Sequence, residues 1–442
     1  MMWSDCAGKC TEKYAAEQLA NELKKTIGIA VEFKLHAGSD SSRHCKDFVV
    51  NNYDPPHFSN DIFQRDFDTA TFECTKCDST CGLPRSGVDI YFCCFPCGPW
   101  SKLGKRQGLS DPQCQVCWQA IKSIKHMRPV IFVMENVMEI GSASVATADP
   151  DDLTTIKEFM NQAIGDMYHS MTINSISPIQ HGYAAEKRRV IVVGARSDQV
   201  DGAHLRSIFT ELIAKPLHVA HAYWTFLGIR GLCDETVDRV GQLPTPAAAV
   251  LIHASVCKCG VDPMVLCPQH PCICAQCKNG ADLKCSWRAR AKKFLAVNEL
   301  QGAAADGCLT YIQALELIDQ DVPKSPRERN MLNVYACLPA AQPLRSTMMI
   351  MDISQAIDRA RAKYDGTVPT MTTNARMWSM RAGRLLNVSE MAKLMGLDLC
   401  EVDLRSITES QMRKMLGMSM HVATAGFALI GLLAAVGSTD GS

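Results

Sequence analysis

Through the first two hundred residues, amphipathic helical stretches alternate with short, mostly apolar runs, and this alternation constrains the fold more than any other feature. The helical stretches are "TEKYAAEQLANELKK" (11–25), "SRHCKDFVVNNY" (42–53), "CQVCWQAIKSIKHM" (114–127) and "DLTTIKEFMNQAI" (152–164). Between them stand "AVEFKLHAG" (30–38), "GVDIYFCCF" (87–95), "PVIFVMENV" (129–137) and "RRVIVVGAR" (188–196). Strands that are apolar on both faces must be covered on both, as in a parallel sheet flanked by helices. The expected fold class is therefore α/β. Ligands of such sheets bind beyond the carboxyl ends of the strands. "CCFPCGPW" and "MENV" both fall there.

The rest of the chain has another character. Beyond residue 200 it becomes irregular, passes through "LPTPAAA" (243–249) and enters a dense Cys/His cluster. A helical region follows at 298–318, and an apolar run, "VATAGFALIGLLAAVG", occupies 422–437. That run is shorter than the roughly 18 to 20 residues needed to span a bilayer and has no basic flank after it, so a buried helix is expected and no membrane association. Formal net charge is zero, which leaves any nucleic-acid surface local rather than global. The N-terminus lacks a signal-peptide pattern, giving an intracellular expectation, nuclear or cytoplasmic. In that setting 22 cysteines at short spacings read as metal ligands or catalytic thiols rather than disulfides.

Cys97 stands between prolines at a strand end, on a loop that constrains the backbone and presents the thiol. About forty residues later Glu135 ends the next apolar strand. Neighbouring strand ends in a parallel sheet bring such residues into one crevice. Alone, Cys97 reads equally as a structural or zinc-bound thiol; with Glu135 in this order, it reads as a nucleophile beside an acid.

With these motifs in view the chain resembles the cytosine carbon-5 DNA methyltransferases, in the family's motif order and over most of its length. "SDCAGKC" (4–10) resembles the loop holding S-adenosylmethionine, and "HAGSDSSRHCKDFVVNNY" and "SNDIF" resemble the next cofactor segments. "FPCGPWS" resembles the nucleophile motif, "MENV" the Glu-Asn-Val motif, and "HGYAAEKRRVIVVGAR" the arginine-bearing strand. "RLLNVSEMAKLMGLD" and "KMLGMSMHVATAGFALIGLLAAVG" resemble the last two motifs. The resemblance implies a Rossmann-like, S-adenosylmethionine-dependent methyltransferase domain with a smaller, cysteine-rich target-recognition region. It implies catalytic roles for Cys97, Glu135 and Arg189, cofactor contacts from Cys6, Gly8, Asp40, Asp61, Ile62 and Pro96, and double-stranded DNA with a flipped cytosine as substrate. "SKLGKRQG" (101–108), with Lys102, Lys105 and Arg106, then reads as a loop closing over phosphates. The same chemistry on RNA, or a catalytically impaired zinc-containing DNA-binding protein, are the alternatives.

The sequence departs from the family at several of these positions. Later glycines of the cofactor loop become Cys10 and Thr11, its aromatic residue becomes Cys6, and Gly38 stands where a ribose-binding acid is expected, with Asp40 nearby. Of the Gln-Arg-Arg strand pattern, which appears as Ala185, Lys187 and Arg189, only the last member is intact, and Met418 replaces an asparagine in the final motif. Only three residues precede the segment quoted as the cofactor loop, so the first strand is expected to be short.

Two cysteine clusters remain. Cys257, Cys259, Cys267, His270, Cys272, Cys274, Cys277 and Cys285 supply seven thiols and one imidazole, enough for two four-coordinate structural zinc ions. "WRARAKK" (287–293) follows, with cations suited to phosphates. Cys74, Cys77 and Cys81 form a smaller group, completed by Cys114, Cys117, Cys93 or Cys94. The expected organisation is a catalytic domain at 1–200, a recognition region at 201–375, and final motifs at 376–438 whose last helix returns to the catalytic domain.

Overall fold

The computed structural model describes residues 1–101, 111–141, 163–214, 323, 325–336, 350–357, 362–363, 367–380 and 383–437. The chain forms two compact units, one of Met1–Ala220 with Met391–Ser442, the other of His221–Glu390.

In the first unit the strands are β1 (Met2–Asp5), β2 (Leu35–Ser39), β3 (His57–Ser59), β4 (Arg65–Asp66), β5 (Thr71–Cys74), β6 (Ser79–Gly82), β7 (Ile90–Cys93), β8 (Ile131–Val137), β9 (Tyr168–Ile176) and β10 (Arg189–Arg196). Its first four helices are α1 (Thr11–Ile27), α2 (Arg43–Tyr53), α3 (Gln115–Met127) and α4 (Gly202–Ala214). Seven strands form one sheet in the order β3-β2-β1-β7-β8-β10-β9, and β4-β5-β6 form a separate antiparallel sheet. The five strands from β3 to β8 are parallel. One strand departs from the expected parallel order: β10 runs antiparallel to both β8 and β9, so β9 keeps the direction of the first five. The link between β9 and β10 holds only a 3₁₀ turn at Pro178–His181, with no helix to carry a parallel crossover. The expected helix over 152–164 lies almost wholly outside the described residues.

β1 is four residues long and buried at each one, and its last residue anchors the sheet. Asp5 accepts hydrogen bonds from Arg65 (2.6 Å), Tyr91 (2.6 Å), Ser39 (2.8 Å) and the Trp3 indole (3.2 Å). Burial alone would raise the Asp5 carboxyl; the Arg65 guanidinium, together with the Tyr91 and Ser39 hydroxyls, outweighs it and holds the group below its usual range. Both side chains are fully buried. Removing Arg65 would strand a buried carboxylate, at a cost of about 3–5 kcal/mol. The pair also fixes the β4–β6 sheet to β1.

The second unit is described as α5 (Pro326–Ala336), a three-stranded antiparallel sheet of β11 (Ile350–Asp352), β12 (Met377–Ser379) and β13 (Arg384–Leu385), and the start of α6 (Val388–Leu394). Buried Glu328 on α5 pairs with Arg376, and the Tyr335 hydroxyl donates to the Ile357 carbonyl at 2.6 Å.

The chain then re-enters the first unit through α7 (Glu409–Met418) and α8 (Val422–Gly437). α8 is the apolar run, and it packs on α1, α4 and β10. Gly431 permits the approach of Phe209, since a Cβ there would lie 2.4 Å from the ring. Among the described residues no single helix is long and apolar enough to cross a membrane; α7 and α8 reach that length only together, across a 44° bend. Asn52 on α2 ties the segment before α7, bonding both the N–H (2.6 Å) and the carbonyl (3.0 Å) of Asp403.

Candidate active site

The three cysteines after β7 have distinct surroundings. Cys93 ends the strand and is buried, Cys94 is half-buried, and Cys97 is exposed. The chain turns sharply at Cys97, whose carbonyl accepts the N–H groups of Trp100 (3.1 Å) and Ser101 (2.8 Å). Two contacts hold the approach to this turn. Asn136 on β8 donates its side-chain amide to the Phe95 carbonyl at 3.0 Å, and Phe95 packs edge-on against Trp100 with ring centroids 5.6 Å apart. Asn136 was quoted in the Glu-Asn-Val motif without a role; its placement on the neighbouring strand gives it one.

Glu135 and Arg189 meet through strand register. Ile191 lies opposite Glu135 and Arg189 opposite Val137, so Arg189 is the diagonal neighbour of Glu135 across the β8–β10 ladder. Long side chains bridge that diagonal, and Arg189 Nε lies 2.6 Å from Glu135 Oε1. The contact is an ion pair of two largely buried groups. Both charges act on Cys97: packing around the thiol raises its pKa above the usual value, Arg189 and Lys187 pull it down, and Glu135 pushes it up. Cys97, Glu135 and Arg189 thus share one electrostatic environment.

Lys187 adds a cation that sequence reasoning treated only as a departure. It is buried, and its ammonium donates to the carbonyls of Leu416 (3.3 Å) and Gly417 (2.9 Å) at the end of α7. A helix C-terminus stabilises positive charge there. Burial nevertheless drives the Lys187 pKa well below the usual lysine value, with Arg189 adding repulsion and Glu135 opposing it. Next to it His421 is also buried, its Nε2 3.0 Å from the Leu394 carbonyl and its Nδ1 accepting from the Ala423 N–H at 3.0 Å. Burial pushes its pKa down to about 3. Met418 is exposed.

The loop after β1 holds three left-handed residues, Cys6 (φ 51°), Gly8 (φ 55°) and Cys10 (φ 54°). The conformation usual for glycine is therefore kept where cysteine stands, at about 1–2 kcal/mol for each non-glycine residue. Nothing lies within 4 Å of a Cβ built on Gly8, so the backbone there borders open space. Asp40, at the end of β2, accepts the Gly8 N–H at 2.8 Å and the Ser42 N–H at 2.8 Å. It therefore shapes the loop as well as placing a carboxylate beside it. Asp61 is exposed and accepts the Phe63 N–H at 2.9 Å, Ile62 is buried beside it, and Pro96 is half-buried. Under the loop, the Lys9 ammonium donates to Thr11 at 3.0 Å, while Glu12 accepts from Ser4 and from the Cys10 thiol. Lys9, Cys10 and Glu12 are all buried. Burial lowers Lys9 to about 8 and raises Glu12.

Residues 34–220 match the model of the C-5 cytosine-specific DNA methylases. This part of the chain, less than half of its length, is similar to that family. A type II methyltransferase of Fusobacterium nucleatum, M.FnuDI, is 30% identical over 103 residues, which are 23% of this chain and 28% of that protein. M.HgiBI of Herpetosiphon aurantiacus is 28% identical over 99 residues, 22% of this chain and 21% of that protein. The chain thus aligns with less than a third of the length of these relatives. The solved S. pombe Dnmt2 methyltransferase aligns over 98% of both chains at 12% identity and a TM-score of 0.46.

A match to the methylase model implies S-adenosylmethionine, and the open backbone at Gly8, where a Cβ would project into free space beside the carboxylate of Asp40, leaves room for such a group. Other expected site residues lie outside the described residues. These are Lys102, Lys105 and Arg106, the 287–293 basic segment, and the cluster Cys257, Cys259, Cys267, His270, Cys272, Cys274, Cys277 and Cys285. For the smaller group the expected fourth ligand is replaced. Cys93, Cys114 and Cys117 are buried in the core, Cys94 lies beyond β7, and the side chain that joins Cys74, Cys77 and Cys81 is His57.

Proposed function

We propose that the chain is an S-adenosylmethionine-dependent DNA cytosine-5 methyltransferase. The observation that carries this reading is the exposed Cys97 thiol on a loop braced by Asn136, within the field of the Glu135–Arg189 pair. The Cys97 thiolate adds to carbon 6 of a flipped-out cytosine, which makes carbon 5 nucleophilic. Glu135 hydrogen-bonds ring nitrogen 3 and the exocyclic amine as charge builds there. Arg189 donates to the base carbonyl. Bound S-adenosylmethionine supplies an electrophilic methyl group. The carbon-5 proton then passes to solvent water as the bond from carbon 6 to Cys97 breaks, which restores the aromatic ring and the thiolate. Gly8, Asp40, Asp61, Ile62, Cys6 and Pro96 are the residues proposed to hold the cofactor.

A second reading has its own observation. Buried Lys9, Cys10 and Glu12 occupy the loop where the family carries glycines, which favours a protein of weakened cofactor affinity acting as a zinc-containing DNA-binding module. Tritium transfer from labelled S-adenosylmethionine to DNA and to tRNA by the full-length protein tests both. Label in a DNase-sensitive product is expected. Label only in an RNase-sensitive product makes the substrate RNA, and no transfer to either polymer leaves the binding reading.

A further inference from the structure

We propose that His57, Cys74, Cys77 and Cys81 form a tetrahedral zinc site that staples the β4–β6 sheet to the edge of the main sheet. Their ligand atoms all lie within 4.8 Å of one another. His57 Nδ1 is 3.8 Å from the Cys74 sulfur and 3.4 Å from the Cys77 sulfur. Zinc holds sulfur at about 2.3 Å and nitrogen at about 2.0 Å, so a tetrahedral S–N edge is about 3.5 Å. An ion therefore fits between these atoms with only small shifts of the side chains. Three sulfurs and one imidazole are a donor set that suits zinc and closes its coordination shell, as structural sites do.

The backbone supports the same arrangement. Cys74 ends β5 and Cys81 lies on β6, so the two are carried by adjacent strands. The tight return between them places Asp78 at φ 53° and turns the Cys77 N–H toward the Cys74 sulfur at 3.4 Å. An amide aimed at sulfur favours the thiolate that metal binding requires. His57 comes from β3, the edge strand of the seven-stranded sheet, 17 residues before Cys74. The Thr75 N–H and hydroxyl both reach the Phe58 carbonyl, at 2.7 and 3.0 Å, and so hold the turn against that edge. Cys77 is exposed, so hydrophobic packing does not account for its thiol.

The site has a consequence for its surroundings. The segment between β3 and β4 carries Asp61 and Ile62, and the proposed ligands bracket it: His57 precedes it, and the three cysteines follow on the hairpin that β4 opens. An ion would fix this segment from both sides in a sheet whose β4 has only two residues.

Full-length protein purified without chelator tests the site through zinc content per chain. Cys77→Ser and His57→Ala should each carry one zinc fewer than wild type, whatever the 257–285 cluster binds. His57→Cys, which restores a ligand, should keep it, and Cys93→Ser should match wild type. Native-state alkylation with peptide mapping provides a second measurement on wild type alone. Cys77 and Cys81 should resist iodoacetamide until zinc is removed, then react. Wild-type zinc content in Cys77→Ser and His57→Ala would overturn the proposal, as would immediate alkylation of Cys77 and Cys81 in untreated protein.

Discussion

On the β7–β8–β10 side of the first unit, chemistry-bearing residues are placed by strand register; on the β1–β2 side they stand on a loop. Arg189 reaches Glu135 because two antiparallel strands fix the diagonal between them, and Asn136, next to Glu135, braces the Cys97 turn. The β1–β2 side depends instead on three left-handed residues in a five-residue stretch and on one carboxylate, Asp40, that ties down the Gly8 N–H. A strand ladder keeps its geometry while most side chains change. A loop in unusual backbone conformations does not, and substitutions such as Cys10 are tolerated there only with strain. The difference predicts that chemistry is the more durable of the two functions and cofactor affinity the more vulnerable.

The largest effect belongs to the register-built side. Cys97→Ser should reduce methyl transfer to background and abolish the denaturant-resistant adduct with DNA containing 5-fluorocytosine, while Cys93→Ser and Cys94→Ser retain it. Because the Cys97 thiol titrates above its usual value, the adduct rate of wild type should climb with pH through the alkaline range, as the thiolate fraction grows. An adduct of undiminished yield in Cys97→Ser would break the comparison at its stronger end.

Glu135→Gln comes next. The amide keeps shape and some hydrogen bonding but neither the proton-transfer group nor the Arg189 ion pair, so transfer should fall by about two orders of magnitude or more. The cofactor dissociation constant should move little, while the thermal midpoint should fall because Arg189 is left largely buried without its ion-pair partner; wild-type turnover would remove Glu135 from the chemistry.

Legibility followed the same division. "IFVMENV" and "RVIVVGAR" announced β8 and β10 by their apolar runs, 131–134 and 190–195, with Glu135 just after the first run and Arg189 just before the second. β9, "YHSMTINSI", gave no such signal: it is an edge strand with mixed exposure, so its sequence lacks a continuous apolar run. The reversed direction of β10 was hidden for the same reason, since the partner that folds back on it went unread. β4–β6 were illegible because three strands of two to four residues are too short to carry a periodicity. Three of the cysteines on that hairpin were visible as a group, but His57 was not, because sheet pairing rather than sequence spacing brings it to them. Lys9 and Glu12 carry no sequence signal of their burial, which follows from the three-dimensional cover over the loop.

On the loop-built side, Asp40→Ala removes the acceptor of the Gly8 and Ser42 N–H groups together with a carboxylate beside the cradle. A lost charged hydrogen bond is worth about 1.5–3 kcal/mol, so S-adenosylmethionine should bind roughly ten- to a hundredfold more weakly by calorimetry. Unchanged affinity would transfer the cofactor's carboxylate contact to another residue, with Asp61→Ala the next variant to measure.

The smallest effects discriminate most finely, because two glycines near the cofactor loop differ in what surrounds them. At Gly8 the backbone has φ 55° and an added Cβ would meet nothing within 4 Å. Gly8→Ala should therefore lower folding stability by about 1 kcal/mol through backbone strain alone. Its methyl group would also enter the space proposed for the cofactor, so affinity should fall as well. At Gly38 the backbone is an ordinary strand, but an added Cβ would lie 3.1 Å from the Phe58 ring. Gly38→Ala should cost about 1 kcal/mol by overpacking and leave cofactor affinity unchanged, since the methyl group is directed at Phe58. Urea unfolding and calorimetric titration of both variants separate stability from binding. If both lose affinity equally, the loss reflects general loosening of the sheet edge and the open space at Gly8 is not the cradle. If only Gly8→Ala loses affinity, the loop retains the family's cofactor site despite the cysteines around it.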